Sequence, residues 1–401
     1  TEIASGEATC DAQGRFTMKF TADADRAFPR QSDPSFNYVV SASVTDITGE
    51  THDAGTSLVV GYRSIDLELG ITRAIDRSTA DSALIRVVNL NGQEQPTPFS
   101  LRVTKLTMPA GGVKRERAWD RPDRFVMVEE EFARRFPHDQ HANERDPETW
   151  ARGTEVMRGD SVKAKGRRTL LRGIRDWEVG TYLIEMEALD SSGQLVRASK
   201  VFTLFDPEIQ NTGFENEAFQ VQVLKERCEP GEKAVLLLST ALPECRVLME
   251  VERDGRIAVV RPFQLKSGQQ RVELPVMEDD RGGFSVHFVC VERGRQHVGV
   301  QRIEVPWTNK QLKVDWTSFR DKLLPGAKEE WRLKITGPKK EQVAAQVLAT
   351  MYDASLDRFA MPEWWMNVWG SHQDRMAWSR ALPFGAAGSR QMVRAYGGVA
   401  D

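Results

Sequence analysis

The sequence predicts an all-β protein of tandem two-sheet β-sandwiches, with a helical insertion in the second. Pro-Gly turns at Pro230 and Pro325 recur about 95 residues apart, as the landmarks of a repeat do. Each turn precedes a run of alternating polar and apolar residues, which is typical of a strand with one buried face. Units of about 95–100 residues have the size of a β-sandwich.

A second landmark supports the same repeat. Glycines at Gly180 and Gly283 are followed by an aromatic residue and then by an alternating run, and Gly14 starts a similar run that predicts a third copy. Short turns rich in Asp, Ser and Gly follow such runs, which predicts hairpins at 46–49, 190–193 and 292–294.

The repeat divides the chain into four predicted sandwiches. Their bounds are 1–62, which is short for a complete sandwich, 63–206, 207–307, and 308–401 with a flexible C-terminal tail. The chain starts in mid-pattern, as we expect of an internal fragment of a longer array.

The segment 119–166 within the second sandwich is predicted to be a helical insertion. Its apolar residues have the spacing of one helical face: Phe125, Val128, Phe132 and Phe136. Asp120 or Asp123 is a candidate cap, and Pro137 is expected to end the helix because proline lacks an amide donor. A second short helix carrying Trp150 is expected to start at 146–148. The insertion is interpreted as structural decoration, or alternatively as a contact surface.

Charge and composition exclude several classes of protein. The 401 residues carry 55 Lys+Arg and 58 Asp+Glu, for a net charge of -3, which disfavours a general nucleic-acid binder. The sequence contains no run of about 18 apolar residues, the length that would predict a membrane-spanning helix. The first residues do not form a signal peptide, and four cysteines are too few for a disulfide-dense scaffold.

Motifs for catalysis, cofactors or metals are missing from the sequence. His138 and His141 stand three apart beside Glu144 and Asp146, but they lack the spacing that places two imidazoles and a base on one helix face. Nucleophile-elbow, phosphate-loop and dinucleotide-binding motifs are also absent. The sequence therefore predicts no enzyme, no catalytic residue, no cofactor and no metal ligand.

The cysteines Cys228, Cys245 and Cys290 fall in one predicted sandwich, and Cys10 lies apart. At strand positions they are expected to be buried small apolar residues. A disulfide from Cys228 to Cys245 or to Cys290 is also compatible with the sequence, which does not choose between these pairs.

Aromatic residues concentrate near the C-terminus, at Trp364, Trp365, Trp369 and Trp378. They are candidates for a partner surface or a glycan-stacking surface. The alternative interpretation is that they cover the end of the last sandwich or pack on further chain. The stretch after Arg380 is rich in small residues, a composition that is typically open to proteases.

Several of these segments resemble a known family. Pro325-Gly326, the strand to Ile335 and the run 347–357 resemble the bait-carrying domain of bacterial alpha-2-macroglobulin-like proteins, and 207–307 resembles the domain before it. The residues before the turn are most similar to large proteins of Bacteroidetes-type bacteria: Trp316, Phe319, Arg320 and Asp321. The resemblance implies immunoglobulin/fibronectin-like, or macroglobulin-like, sandwiches within a longer chain.

The resemblance also implies a function. In this family a protease cuts an exposed bait segment, a conformational change follows, and the protease is trapped. The chain is therefore expected to be a non-enzymatic segment in the periplasm or associated with the outer membrane or cell surface. Its expected partners are proteases and neighbouring domains. Candidate cleavage points are Arg380, Arg390 and Arg394. The family's Cys-Gly-Glu-Gln thioester motif is absent from this segment.

Two alternatives from other classes remain open at this point. One is a surface array for adhesion or carbohydrate binding, with Trp364–Trp378 as its platform. The other is the accessory β-region of a larger surface enzyme.

Overall fold

The computed structural model describes most of the chain in two compact units. The described residues are 2–45, 48–80, 82–117, 120–162, 168–211, 213–320, 322, 324, 326–338, 345–349, 352, 369–376 and 378. One unit comprises Thr1–Gly112 and His141–Asn216, and the other comprises Val113–Gln140 and Glu217–Asp401. The described residues of each unit form strands, loops and short helices.

The first unit holds a hairpin and two sheets. The hairpin is β1 (Ser35–Thr45) with β2 (Thr51–Gly61). The remaining strands are β3 (Asp66–Gly70), β4 (Ala74–Asp76), β5 (Ser82–Val88), β6 (Phe99–Thr107), β7 (Ala151–Val162), β8 (Arg168–Leu170), β9 (Gly180–Leu189) and β10 (Leu195–Phe205). One sheet has the order β3-β5-β8 and the other the order β4-β10-β9-β6-β7.

Alternating apolar residues of these two sheets form one core. Ile85 contributes from the smaller sheet, and Ile184 and Leu101 contribute from the larger, all essentially inaccessible to solvent. Tyr182 stacks on Phe202 with ring centroids 5.5 Å apart, and its hydroxyl donates to the Glu178 carbonyl at 2.6 Å. Burial raises the pKa of Tyr182 to about 12. The unit is a β-sandwich with an apolar centre.

The second unit is built on two long strands. Its strands are β11 (Gln220–Lys225), β12 (Lys233–Arg253), β13 (Arg256–Pro275), β14 (Phe284–Glu292), β15 (Arg295–Ile303), β16 (Lys313–Ser318) and β17 (Arg332–Thr336). The main sheet runs β11-β12-β14-β15, and β13 pairs with β12 along most of its length. Strands β16 and β17 form a separate hairpin.

On the edge opposite β13, strand β12 takes part in two different pairings. Its first half pairs with β11, from Val235 to Ser239, and its second half pairs with β14, from Val247 to Glu252. A register irregularity after Thr240 separates the halves. The inward residues of both halves join one core with β14 and β15, so a single strand organises the whole apolar centre.

The predicted turns are confirmed where they are described. The β9–β10 hairpin closes through Asp190, the β14–β15 hairpin closes at Glu292↔Arg295, and the β1–β2 hairpin closes at Thr45↔Thr51. The third predicted copy is wrong, because the residues from Gly14 to Phe20 form no strand and are exposed.

The prediction that residues 119–166 form a helical insertion is not confirmed. Its described helices are α1 (Glu129–Arg135) and the single 3-10 turn Pro147–Thr149, whereas Ala151–Val162 is a strand of the larger sheet. Helix α1 stops before Pro137 as expected, but it begins only after Val128, with three glutamates in its first turn and no aspartate cap. The second turn starts at Asp146 as predicted, and Trp150 is buried behind it.

The four-part division of the chain stays a prediction. In the described parts of 1–62 and 308–401, the strands are those of the β1–β2 and β16–β17 hairpins. The described helices are too short or too polar to cross a lipid bilayer.

Buried thiols lie in the second unit. Cys245 and Cys290 place their sulfur atoms 3.5 Å apart, while Cys228 is directed at the Lys233 carbonyl. All four cysteines are free, and the pair in contact is not one that the sequence singled out. The hydrogen bond to Cys245 and burial raise the pKa of Cys290, so its thiol stays protonated.

Asp190 is expected to make the first unit sensitive to acid. Its carboxylate accepts hydrogen bonds from Ser192 and from the backbone N–H groups of Ser64 and Gln194, which lower its pKa. Because the folded pKa is depressed, this stabilisation is present above the ordinary pKa of aspartate and is lost as the pH falls below it. Asp190→Asn should lower the urea midpoint at pH 7 and flatten the acid limb of the stability profile. Asp254→Asn, at an exposed hairpin turn, is the control, and equal effects of both variants would contradict the assignment.

Thiol reactivity should separate Cys10 from the other cysteines. Cys10 is exposed and the remaining three are buried. In protein kept reduced, Ellman's reagent should label one thiol per chain rapidly, and Cys10→Ser should abolish this fast phase. The other thiols should react only in denaturant, because thiolate character and access govern the rate. Fast labelling that persists in Cys10→Ser would contradict the packing of the second unit.

Candidate functional site

A segment that we call the strap, residues 369–376 and 378, lies against the second unit. The His372 N–H donates to the Gly282 carbonyl at 2.9 Å, and the Trp307 indole N–H donates to the Gly370 carbonyl at 2.8 Å. The strap therefore runs along the end of the sheet where β12 finishes and β14 begins.

Gly282 allows this close approach. Its φ of +95° is a conformation that side chains disfavour, and a Cβ placed on it would lie 2.7 Å from the Gly370 carbonyl oxygen. Gly282 directly precedes Gly283, the landmark that the sequence analysis interpreted as a strand signal, and it is the docking point of the strap.

Aromatic residues hold both ends of the strap. Trp369 stacks on Trp307 with ring centroids 5.9 Å apart, and the Lys310 ammonium lies 4.3 and 4.6 Å from the two rings. At the other end, the Trp378 indole N–H donates to Glu250 at 2.9 Å. These two tryptophans remain 40% and 43% exposed.

The carboxylate of Glu252 lies at the centre of the docked strap. Glu252 is fully buried and accepts the backbone N–H groups of Arg375 at 2.8 Å and Met376 at 3.3 Å. Burial alone would raise the pKa of Glu252, but these hydrogen bonds, together with the one from His287, outweigh it and keep the pKa below its ordinary value. The strap backbone thus helps to compensate a buried charge.

His287 provides a further hydrogen bond to the Glu252 carboxylate. Its Nε2 lies 2.8 Å from the Glu252 carboxylate, and His287 is 1% exposed. An ionised carboxylate only accepts hydrogen bonds, so Nε2 must carry the proton. Nδ1 of the same ring is buried without a hydrogen-bond partner.

A second carboxylate, Asp374, belongs to the strap itself. It accepts a hydrogen bond from the Ser285 hydroxyl and pairs with Arg302 at 3.2 Å. Burial alone would raise the pKa of Asp374. The Ser285 hydrogen bond and the neighbouring Arg302 charge have a larger effect in the opposite direction, so the pKa lies below its ordinary value. His372 Nε2 lies 3.4 Å from Asp374 Oδ1, and its side chain is 4% exposed.

Strand alternation explains how these groups come together. Glu252 pairs with Ser285 and Glu250 pairs with His287 across β12 and β14, so all four side chains share one sheet face. The opposite face carries Val251 and the rest of the apolar core. Sequence reasoning missed the cluster because the strap residues are far away in the chain: Asp374 lies 89 residues after Ser285, and Arg375 lies 123 residues after Glu252. Polar residues at alternating positions of both strands nevertheless marked the face.

The site residues predicted from the sequence divide between described and undescribed parts of the chain. Trp369 and Trp378 lie on the strap. The candidate cleavage points Arg380, Arg390 and Arg394, and the surface residues Trp364 and Trp365, lie outside the described residues.

The histidine-rich turn serves local structure. The Glu144 carboxylate accepts the backbone N–H groups of His141 at 3.0 Å and Ala142 at 2.9 Å. The Trp150 indole N–H donates to the Glu144 carbonyl at 2.8 Å. Glu144 therefore organises the turn that buries Trp150.

One family model matches the chain. Residues 219–357 match the alpha-2-macroglobulin bait region domain. No curated protein sequence matches the chain significantly.

Solved structures similar to the chain include two bacterial alpha-2-macroglobulins. The Salmonella protein reacted with methylamine is 12% identical, with 76% of this chain and 19% of that chain covered and a TM-score of 0.26. The native Escherichia coli protein is 13% identical, with the same coverage and TM-score. A tetra-tandem repeat from the extending region of a large adhesion protein is 14% identical, with 78% and 65% covered and a TM-score of 0.19.

These likenesses differ in weight. TM-scores below 0.5 do not establish a shared arrangement of the units, so we draw nothing further from the three structures. The chain spans about a fifth of the length of the alpha-2-macroglobulins that it matches. The family model, by contrast, covers the strands from β11 to β17 and confirms the family resemblance seen in the sequence. Its range includes residues 219–307, which the sequence analysis compared with the domain before the bait-carrying one. Over residues 219–357, this chain is therefore similar to the alpha-2-macroglobulin bait region domain.

Proposed function

We propose that the chain is a non-enzymatic segment of a bacterial alpha-2-macroglobulin-like protein that contributes to protease inhibition. A target protease cuts a bait, and the resulting conformational change traps it. The observation that carries this proposal is the bait region domain match at 219–357, immediately upstream of the strap. The bait itself follows the strap, with Arg380, Arg390 and Arg394 as cleavage points.

The strap supports this placement of the bait. Its hydrogen bonds to Gly282 and Glu252 hold the chain on the second unit up to Trp378. A cut two or more residues beyond this point leaves the strap as a new chain end next to the sheet. Release or rearrangement of a segment held in this way is a known kind of proteolytic switch.

The setting of the segment follows from the same proposal. Its partners are proteases and the neighbouring domains of a longer chain, and its location is the periplasm or the outer-membrane or cell surface. The mixed charge of 55 Lys+Arg against 58 Asp+Glu suits solvated sandwiches rather than a binder of one charged polymer.

Limited trypsin digestion tests the bait. Wild-type chain should be cut first after Arg380, Arg390 or Arg394, as identified by mass spectrometry of the fragments. The triple Arg→Gln variant at these positions should lose the early cuts, so that the first cleavage is at least about tenfold slower, because the remaining sites need local opening. Arg256→Gln, in the exposed β12–β13 hairpin, is the control. First cuts within the strands, unchanged in the triple variant, would refute the assignment.

Arg375 offers an internal comparison in the same digestion. It lies in the docked strap, where its N–H donates to Glu252, so cleavage after Arg375 should lag behind cleavage of the tail. Trp369→Ala removes the ring stacked on Trp307 and should accelerate the Arg375 cut by about three- to tenfold, since an aromatic pair contributes about 0.5–1.5 kcal/mol. Trp316→Ala, in the β16–β17 hairpin, should leave it unchanged. Equal rates in wild type and Trp369→Ala would show that the stack does not hold the strap.

A further inference from the structure

We propose that Glu252, His372 and Asp374 bind one divalent transition-metal ion, with Zn²⁺ as the best fit, and that this ion fastens the strap to β12. This goes beyond the proposed function and does not depend on it. Strand β12 supplies one ligand, and the strap supplies the other two.

The three side chains are already grouped at nearly the required distances. One ligand atom from each lies within 4.8 Å of the others, and His372 Nε2 is 3.4 Å from Asp374 Oδ1. Zinc bonds of about 2.0–2.2 Å to nitrogen and oxygen in a tetrahedral site place neighbouring ligand atoms about 3.4 Å apart. The histidine–aspartate separation meets that value, and Glu252 lies within 4.8 Å of both residues.

The second observation is the unsatisfied imidazole of His372. Its side chain is 4% exposed, and Nε2 lies 3.4 Å from Asp374 Oδ1 but makes no hydrogen bond. Buried polar atoms normally have partners, so an exception calls for an explanation. A metal ion bound to the Nε2 lone pair supplies the missing partner.

The carboxylates keep the capacity to bind an ion. Oε1 of Glu252 accepts the Arg375 N–H, and a carboxylate oxygen has about two lone-pair sites, so one remains. Arg302 neutralises the charge of Asp374, whereas the described side chain that contacts Glu252 is that of His287, which carries a positive charge only when both ring nitrogens are protonated. A divalent cation would compensate it.

The surrounding hydrogen bonds orient the ligands. His287 donates to Glu252, and the Ser285 hydroxyl donates to Asp374, in the way that outer-shell groups hold carboxylate ligands in metalloproteins. One imidazole and two carboxylates favour zinc over calcium or magnesium, which prefer oxygen ligands alone.

Calorimetric titration of the whole chain tests the site. After dialysis against a chelator, the wild type should bind one Zn²⁺ per chain and unfold at a higher temperature with the ion than without it. Bound Zn²⁺ should also slow trypsin cleavage after Arg375, because the ion closes the strap onto β12. Calcium at the same concentration should do neither.

Two ligand variants and one matched control decide the outcome. His372→Ala should weaken Zn²⁺ binding by more than about 100-fold, since even outer-shell changes cost 10–100-fold. Asp374→Asn, which keeps the size of the side chain, should also weaken it, and provides the test if the first variant does not fold. His52→Ala, whose side chain is 67% exposed on the β1–β2 hairpin, should bind as the wild type does.

The contrary results are equally distinct. Wild-type chain that binds no Zn²⁺ at micromolar concentrations would overturn the proposal. So would unchanged affinity in both His372→Ala and Asp374→Asn, because the ion would then be held elsewhere. Loss of binding in His52→Ala alone would identify an exposed surface site and would likewise overturn it.

Discussion

The need to compensate the buried carboxylate of Glu252 is the constraint on which the strap end of the second unit depends. A charge that is removed from water needs hydrogen bonds or a counter-charge as partners. Without them, its desolvation destabilises the folded state by about several kcal/mol. His287 meets part of this need from the neighbouring strand, and the backbone of Arg375 and Met376 meets another part. The strap is thus coupled to the sheet electrostatically, and its release would expose or unpair a buried charge.

Strand β12 connects this polar centre to the apolar core. Its odd-numbered residues near the end, such as Val251, pack inward, while Glu250 and Glu252 face the strap. The same strand carries Cys245 against Cys290 and pairs with three other strands. A rearrangement of the strap would therefore act on the element that organises the whole unit, which suits a domain whose proposed role is to respond to a cut nearby.

Local patterns predicted the parts of the fold that local physics controls. Alternation marked β9 and β14, and turn residues marked their hairpins, because strand burial and turn conformation are encoded within a few residues. The segment after Gly14 has the same alternation but forms no strand, since an alternating run needs a partner strand and a core to pack on. Residues Ala151–Val162 lie within the segment predicted as a helical insertion, yet they form an edge strand, because pairing with a neighbouring strand is not visible in local spacing.

The sequence by itself determined that the chain is all-β, that hairpins follow its aspartate- and glycine-rich turns, and that its later part resembles a bait-carrying macroglobulin domain. Only the tertiary structure decided which distant residues meet. Sequence spacing could not pair Glu252 with His372 and Asp374, or Cys245 with Cys290, because these contacts depend on strand register and on the docking of the strap. Register and docking result from the packing of the entire core, which no local pattern specifies.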